Sequence, residues 1–131
     1  MSPTKLDLGP LRRSLTALRK VVRMNLDDDV VRDAAVKRFE FTYEMAWKMM
    51  RRHLQWAGRQ DVESLPRREL FRLAARASLI GDPLKWFAYH EARNLTSHTY
   101  EEANARKVTT LLKVFVKDTA ELLRNLKEYH A

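Results

Sequence analysis

The chain has 131 residues, of which 45% are hydrophobic and 32% are charged. This length and balance suit one soluble globular domain with a single core. The chain has no Cys, which excludes disulfides, thiolate catalysis and Cys-ligated zinc. Only 3 Gly and 4 Pro are present, too few for the many turns of an all-β fold. No apolar run approaches the roughly 18 residues of a membrane span, and the N-terminus lacks a signal peptide's apolar core. We therefore expect a cytoplasmic protein.

The net charge is +8, and the excess of cations is concentrated in two segments. Residues 5–23 hold six basic side chains and one acidic side chain, and residues 48–76 hold eight basic and three acidic side chains. A surplus of this kind favours an anionic partner, with nucleic acid first. Solvated helix faces produce the same composition, so charge alone leaves both interpretations open.

Apolar residues at helical spacing predict two helices in the first half of the chain. Gly9-Pro10 opens the first helix, whose apolar face carries Leu11, Leu15, Leu18 and Val22. The polar run 25–29 ends this helix and supplies capping residues for the second. The second helix is long and ends near Gly58, and its apolar stripe contains Val36, Phe39, Tyr43, Trp47, Met50 and Leu54.

Proline and glycine also punctuate the second half. A polar connection over 60–65 precedes Pro66, which we expect at the first position of a short third helix that continues to Gly81. Asp82-Pro83 then reads as the N-cap and first residue of a fourth helix, which runs towards Thr96.

Thr99 and Glu102 fit a capping box at the start of one last helix. Its apolar residues follow a nearly heptad spacing and are Val108, Leu111, Phe115, Leu122, Leu126 and Tyr129. The elements together predict an all-α fold, an up-and-down antiparallel bundle of four main helices plus a shorter one at 66–80. We expect a single domain over 1–131, and long amphipathic helices of this kind often supply a dimer face as well.

Segment 93–100 (RNLTSHTY) concentrates chemically capable side chains at the junction of the last two predicted helices. Arg93 offers a planar cationic fork that suits phosphate, and His98 can move a proton near neutral pH. Asn94 can hold a phosphate oxygen or orient the imidazole. An ideal helix separates positions five apart by about 140°, so Arg93 and His98 converge only if the helix loosens or if two copies meet. The alternative is structural: Arg93 pairs with Glu91 or a neighbouring helix, and His98 helps to end a helix.

Two segments resemble the signatures of HEPN domains, which are all-helical. The residues Arg93, His98 and Tyr100 match the signature Arg-x4-His-x-Tyr. Segment 38–48 (RFEFTYEMAWK) resembles the second-helix motif of the nucleotidyltransferase substrate-binding protein family, a HEPN branch. The resemblance covers roughly residues 8–129, and two motifs in the expected order make it more specific than either alone.

The resemblance implies a dimeric bundle that partners a minimal nucleotidyltransferase encoded nearby. Many HEPN proteins are metal-independent ribonucleases that act as toxins in toxin–antitoxin pairs, with the Arg and His of the signature in a cleft at the dimer interface. Carried over by position, Arg93 holds the scissile phosphate of RNA, His98 is the general acid or base and Asn94 assists. Tyr100 becomes the hydroxyl that the partner adenylylates. No metal or cofactor is implied.

Alternatives to a toxin ribonuclease remain open. The milder interpretation is a non-catalytic substrate-binding subunit of a split nucleotidyltransferase, which leaves open whether the chain is an enzyme. Residues 66–93 also suggest a helix-turn-helix DNA-binding regulator, although Arg76 and Asp82 fall where that motif needs apolar residues. No Gly-Ser plus Asp-x-Asp pattern of a nucleotidyltransferase active site occurs, so transferase chemistry would lie in another chain.

Two further side-chain patterns on the second helix have structural interpretations. The aromatic stripe Phe39, Tyr43 and Trp47 could stack bases, but its helical spacing indicates core. Beside it, Glu44 and Lys48 are expected to form a favourable i, i+4 ion pair.

Overall fold

The computed structural model describes residues 4–131, and within this range it contains six α-helices and no strand. The helices are α1 (Gly9–Val22), α2 (Asp29–Trp56), α3 (Arg67–Arg76), α4 (Pro83–Leu95), α5 (Glu102–Thr110) and α6 (Leu112–His130). Two 3₁₀ turns, Asp61–Ser64 and Thr96–His98, lie in the connections before α3 and after α4. The predicted all-α helical bundle is confirmed. The dimer and the single-domain boundaries stay predictions.

The core forms where α2 packs against the other helices. Phe39 of α2 lies edge-on to Phe115 of α6, with ring centroids 4.8 Å apart, and Tyr89 of α4 lies 5.0 Å from the same Phe115 ring. The largest fully buried side chains include Trp86, Tyr43, Phe39, Phe71, Phe115, Leu11, Leu15 and Leu18. The short connections between α1 and α2 and between α3 and α4 make each pair antiparallel neighbours.

Helices α2 and α4 begin where the sequence predicts. Asp28 caps α2 by accepting from the Val30 N–H at 2.9 Å, and Asp82 caps α4 by accepting from the Leu84 N–H at 2.9 Å. Both carboxylates satisfy backbone donors that have no partner inside the helix. The fourth predicted helix therefore starts at Pro83, as expected.

One predicted helix C-terminus is confirmed, and another is wrong. α2 ends as expected near Gly58, whose φ of 102° places it in the left-handed region that favours glycine. The third helix ends at Arg76, so the predicted end at Gly81 was wrong. Ser78 takes the left-handed position there with φ 60°, and the Leu79 N–H bonds to the Ala74 carbonyl at 2.9 Å. This is a Schellman arrangement built on serine, which the sequence does not signal.

The start of α3 and the last helix also depart from the sequence predictions. Pro66 lies one residue before α3, at its N-cap. The single last helix is divided at Leu111 into α5 and α6. The hydroxyls of Thr109 and Thr110 both donate hydrogen bonds to the Arg106 carbonyl, at 3.2 and 2.6 Å. Such back-bonding competes with the backbone ladder and bends helices, which explains the break.

The predicted capping box at Thr99 and Glu102 was wrong. Glu101 occupies the N-cap position of α5 and makes no side-chain cap, and Glu102 pairs with Arg106 at 2.8 Å. The preceding 3₁₀ turn moves the start of α5 beyond Thr99. The helix is instead joined to this turn by Asn104, whose Nδ2 donates to the His98 carbonyl at 3.2 Å.

The face of α4 that points inwards is aromatic. Trp86, Phe87 and Tyr89 are buried, and the exposed positions of the helix include Leu84 and Glu91. The other exposed positions of α4 are Lys85, Ala88 and Asn94, and the helix-turn-helix alternative stays a prediction. None of the helices over 4–131 is both long and apolar enough to cross a membrane.

Candidate functional site

The end of α4 loosens into a 3₁₀ turn at the position that the sequence analysis required. Thr96 makes two hydrogen bonds to Arg93 at this point. Its hydroxyl donates to the Arg93 carbonyl at 2.6 Å and accepts from Arg93 Nη1 at 3.0 Å. The turn Thr96–His98 then carries His98 to its last position, where the side chain is exposed. Arg93 thus lies in the last turn of α4, and His98 ends the 3₁₀ turn that follows.

Arg93 is held by carboxylates from α2. Its Nε lies 3.4 Å from Glu44 Oε1 and its Nη2 lies 3.9 Å from Glu40 Oε2. The side chain is 29% exposed, and its buried Nε makes no hydrogen bond in this arrangement. The structural alternative of the sequence analysis is thus confirmed for a neighbouring helix, α2, whereas Glu91 pairs with Arg68 at 3.5 Å. The guanidinium is therefore oriented by charge and half-buried, and donor capacity remains for a ligand.

The other three predicted site residues are exposed. Asn94 lies on the outer side of α4, and Tyr100 is 81% exposed. The His98 and Tyr100 rings are 6.1 Å apart, and among the described residues the side chains of Asn94, His98 and Tyr100 make no hydrogen bond. No hydrogen bond or ion pair joins Arg93 to His98 within residues 4–131. All three exposed side chains are thus available to a ligand or to another chain.

Trp47 corrects the expectation for the aromatic stripe. Phe39 and Tyr43 are fully buried, but Trp47 is only half-buried, and the Arg67 guanidinium lies over its ring at 3.6 Å. The Trp47 Nε1–H donates to Glu44 Oε2 at 3.0 Å, so Glu44 joins this ring to Arg93.

The expected Glu44–Lys48 ion pair is absent from the described residues, because the Glu44 carboxylate is already engaged. Its two oxygens face Trp47 and Arg93. Lys48 Nζ lies instead 5.8 Å from the Trp47 ring. Sequence analysis also missed the role of Arg67, although the cation-rich segment 48–76 contained the signal.

A hydrogen-bonded chain connects Arg67, Tyr43 and His90 near Arg93. Arg67 Nη1 donates to Tyr43 Oη at 3.2 Å, and the same oxygen lies 2.7 Å from His90 Nδ1. Burial, and then the Arg67 and Arg68 charges, lower the pKa of His90, and burial raises the pKa of Tyr43 to about 12. The lowered pKa of His90 favours its neutral form.

The described residues contain no group of three or more His, Asp and Glu side chains that could hold a metal ion. The chemically capable groups at this site are the Arg93 guanidinium, the His98 imidazole, the Asn94 amide and the Tyr100 hydroxyl. Such groups can bind an oxyanion and transfer a proton.

Comparisons with known proteins agree with the sequence resemblance. Residues 6–128 match the family model described as nucleotidyltransferase substrate binding protein like. A Haemophilus influenzae protein named Probable ribonuclease HepT is 33% identical over 141 residues, covering 98% of this chain and 97% of the relative.

Two solved structures share the fold. One from Haemophilus influenzae, described as revealing the fold of a substrate binding domain of a nucleotidyltransferase, is 31% identical with a TM-score of 0.85, over 92% of this chain and 99% of that one. A crystal structure from Thermus thermophilus is 28% identical with a TM-score of 0.79, over 89% of this chain and 98% of that one. The chain therefore belongs to the nucleotidyltransferase substrate-binding protein-like family, the HEPN branch that its two motifs resemble.

Proposed function

We propose that this protein is the toxin of a HEPN toxin–antitoxin pair, a metal-independent endoribonuclease whose partner is a minimal nucleotidyltransferase. The observation that carries the proposal is the end of α4, where a partly exposed Arg93 is followed by one 3₁₀ turn that presents an exposed His98. The relative named a ribonuclease supports the activity, and the fold described as a nucleotidyltransferase's substrate binding domain supports the partner.

The chemistry requires only groups that this site and RNA supply. An imidazole of His98 takes the proton of the RNA 2′-hydroxyl, whose oxygen attacks the adjacent phosphorus. Arg93 and Asn94 stabilise the charge that develops on the phosphoryl oxygens. The bond from phosphorus to the 5′-oxygen breaks, and that oxygen leaves with a proton from an acid. The products are a 2′,3′-cyclic phosphate and a 5′-hydroxyl.

The need for both a base and an acid argues for a homodimer. Each chain offers one exposed imidazole at this site, because His98 is exposed and His90 is partly buried. Two copies arranged about a two-fold axis at the end of α4 supply two His98 side chains. Light scattering should give the mass of a dimer at micromolar concentration, and a monomeric mass would contradict this arrangement.

Catalysis is tested by replacing the two signature residues. His98→Ala and Arg93→Ala should each lower cleavage of RNA in EDTA by about 10²–10⁴-fold, because each removes a proton-transfer or charge-stabilising group. Arg19→Ala is the matched control, an exposed cation on α1 outside the site. Circular dichroism checks the fold. Equal cleavage by the parent and the double variant would assign the activity to a contaminating nuclease.

Tyr100 is the proposed site of control by the partner. Its side chain is 81% exposed, so an enzyme can reach the hydroxyl. An added nucleotide would place a bulky phosphate beside the site and compete with RNA for Arg93. After co-expression with the nucleotidyltransferase, intact mass should show adenylylation of the parent and none of Tyr100→Phe. Undiminished modification of the Phe variant would refute the assignment.

The second candidate is a non-catalytic subunit that presents substrate to a nucleotidyltransferase. The ion pairs of Arg93 with Glu40 and Glu44 favour it, because they compete with phosphate for the guanidinium. In that case the purified protein binds the nucleotidyltransferase and leaves RNA intact. The cleavage assay with His98→Ala separates the two functions.

A further inference from the structure

A surface of cations around one indole ring lies beside the candidate site. We define the basic-aromatic surface as Trp47, Lys48 and Arg51 of α2 with Arg67 and Arg68 at the start of α3. The guanidinium carbons of Arg67 and Arg51 lie 3.6 and 5.0 Å from the centroid of the Trp47 ring, and Lys48 Nζ lies at 5.8 Å. Arg68 pairs loosely with Glu91 at 3.5 Å, both side chains being more than half exposed. The surface therefore has net positive charge, and the Arg67 guanidinium covers one face of its indole ring.

The Arg67 guanidinium is held in position by two contacts of its own. It rests on Trp47 and donates from Nη1 to Tyr43 Oη at 3.2 Å. These two contacts restrict its rotamers before any ligand arrives, which reduces the entropy lost on binding. The Arg67 side chain is partly exposed, and the face of its guanidinium opposite Trp47 is not covered by the indole.

The surface is continuous with the candidate site through one carboxylate. Glu44 accepts from Trp47 Nε1 at 3.0 Å with one oxygen and lies 3.4 Å from Arg93 Nε with the other. Arg51 lies seven positions after Glu44 along α2, a rise of about 10 Å. A strand whose phosphate lies at Arg93 therefore meets this surface within a short distance.

We propose that the basic-aromatic surface binds the single-stranded RNA that flanks the cleaved phosphate, with one base stacked on the outer face of Arg67. Lys48 and Arg51 contact the neighbouring phosphates. The assignment rests on the proposed ribonuclease function and names the path of its substrate. Bases stack on arginine planes as well as on aromatic rings, and only unpaired bases expose a face for this contact. A duplex lacks such a face, so the surface selects single strands.

The test measures binding separately from cleavage. In a His98→Ala background, fluorescence anisotropy follows a labelled single-stranded RNA of about 12 nucleotides. Arg67→Ala should weaken binding about tenfold or more, the amount expected for loss of one stacked base. Arg67→Lys keeps the positive charge but removes the planar guanidinium. It should therefore keep the salt dependence of binding and lose most of the affinity for RNA that Arg67→Ala loses. Lys48→Ala should lower the slope of log affinity against log salt by about 0.7.

Arg19→Ala is again the charge-matched control, and its affinity should stay within about twofold of the parent background. Equal weakening by Arg19→Ala and Arg67→Ala would overturn the proposal, because it would show attraction by net charge alone. Unchanged binding by Arg67→Ala would overturn it as well. Thermal unfolding of each variant confirms that the fold persists.

The result also separates this proposal from the ribonuclease function. Weaker binding by Arg67→Ala with no cleavage by the parent supports the surface and contradicts catalysis. Cleavage by the parent with no effect of Arg67→Ala supports catalysis and contradicts the surface. If Arg67→Ala instead converts a dimer to a monomer in light scattering, the surface is a contact between copies and the proposal is refuted.

Discussion

The pair His53 and His130 should make the stability of this protein sensitive to acid. His53 Nδ1 lies 2.8 Å from His130 Nε2, and the Leu6 N–H donates to His130 Nδ1 at 3.1 Å. His130 therefore accepts at Nδ1 and donates from Nε2, so it is neutral in the folded protein. The pair is buried, with exposed fractions of 3% and 7%, and it joins the middle of the chain to both ends.

The sign of the pH dependence follows from the direction of both shifts. Burial lowers the pKa of His53, with the neighbouring His130 adding to it, and burial and then Lys5 lower the pKa of His130. The unfolded chain therefore binds protons more tightly than the folded one. The stabilising contribution of the pair is complete above the unfolded pKa of about 6.5 and is lost as the pH falls from there towards the lowered folded pKa values. Each histidine contributes at most about 1.4 kcal/mol per pH unit in this window.

Replacing His130 separates the hydrogen bonds from the titration. His130→Ala removes two hydrogen bonds and should cost about 2–3 kcal/mol near pH 7.5. For a chain of this length that corresponds to a fall of about 10 °C in Tm. His130→Gln keeps a donor for His53 and cannot titrate, so it should cost less than Ala and should weaken the pH dependence.

Urea unfolding of the parent, His130→Ala and His130→Gln at about pH 7.5 and pH 5.5 measures both effects. The difference in unfolding free energy between the two pH values should be larger for the parent than for His130→Gln. An equal loss on acidification in both proteins would refute the role assigned to the pair, and so would an increase in stability of the parent at the lower pH.

Two further predictions concern the fold. Asp82→Ala should lower the free energy of unfolding by about 1 kcal/mol, because the Leu84 N–H loses its carboxylate cap. If urea unfolding shows a loss of less than about 0.3 kcal/mol, water replaces the cap. Phe39→Ala should lower it by about 3–5 kcal/mol, since the ring is fully buried against Phe115; a loss similar to that of Asp82→Ala would mean that the core collapses into the space.

Local chemistry explains which helix boundaries were predictable. Asp82-Pro83 and Gly58 were confirmed because an N-cap carboxylate and a left-handed glycine act within one turn of the backbone. The end of α3 was missed because Ser78 takes the left-handed position without being glycine. The break at Leu111 was missed because apolar spacing continues across it, while the competing threonine hydroxyls give a weaker signal.

Sequence by itself determined the helical class, the long α2 and the chemically dense segment 93–100. These features depend on apolar periodicity and on residue types that lie close together in the chain. Sequence also placed the junction of two helices within this segment, whereas the convergence of Arg93 and His98 stays a prediction. The family was predicted from two motifs of neighbouring residues, segments 38–48 and 93–100.

Only the tertiary structure decided what surrounds Arg93. Its carboxylate partners Glu40 and Glu44 precede it by about 50 residues, and the stacking of Arg67 on Trp47 joins two helices whose crossing no local pattern specifies. Helical periodicity says which face of a helix is apolar, but it does not say which neighbour that face meets or at what angle. The half-buried position of Trp47 depends on that packing. Helical spacing alone therefore predicted that Trp47 lies in the core with the rest of its aromatic stripe.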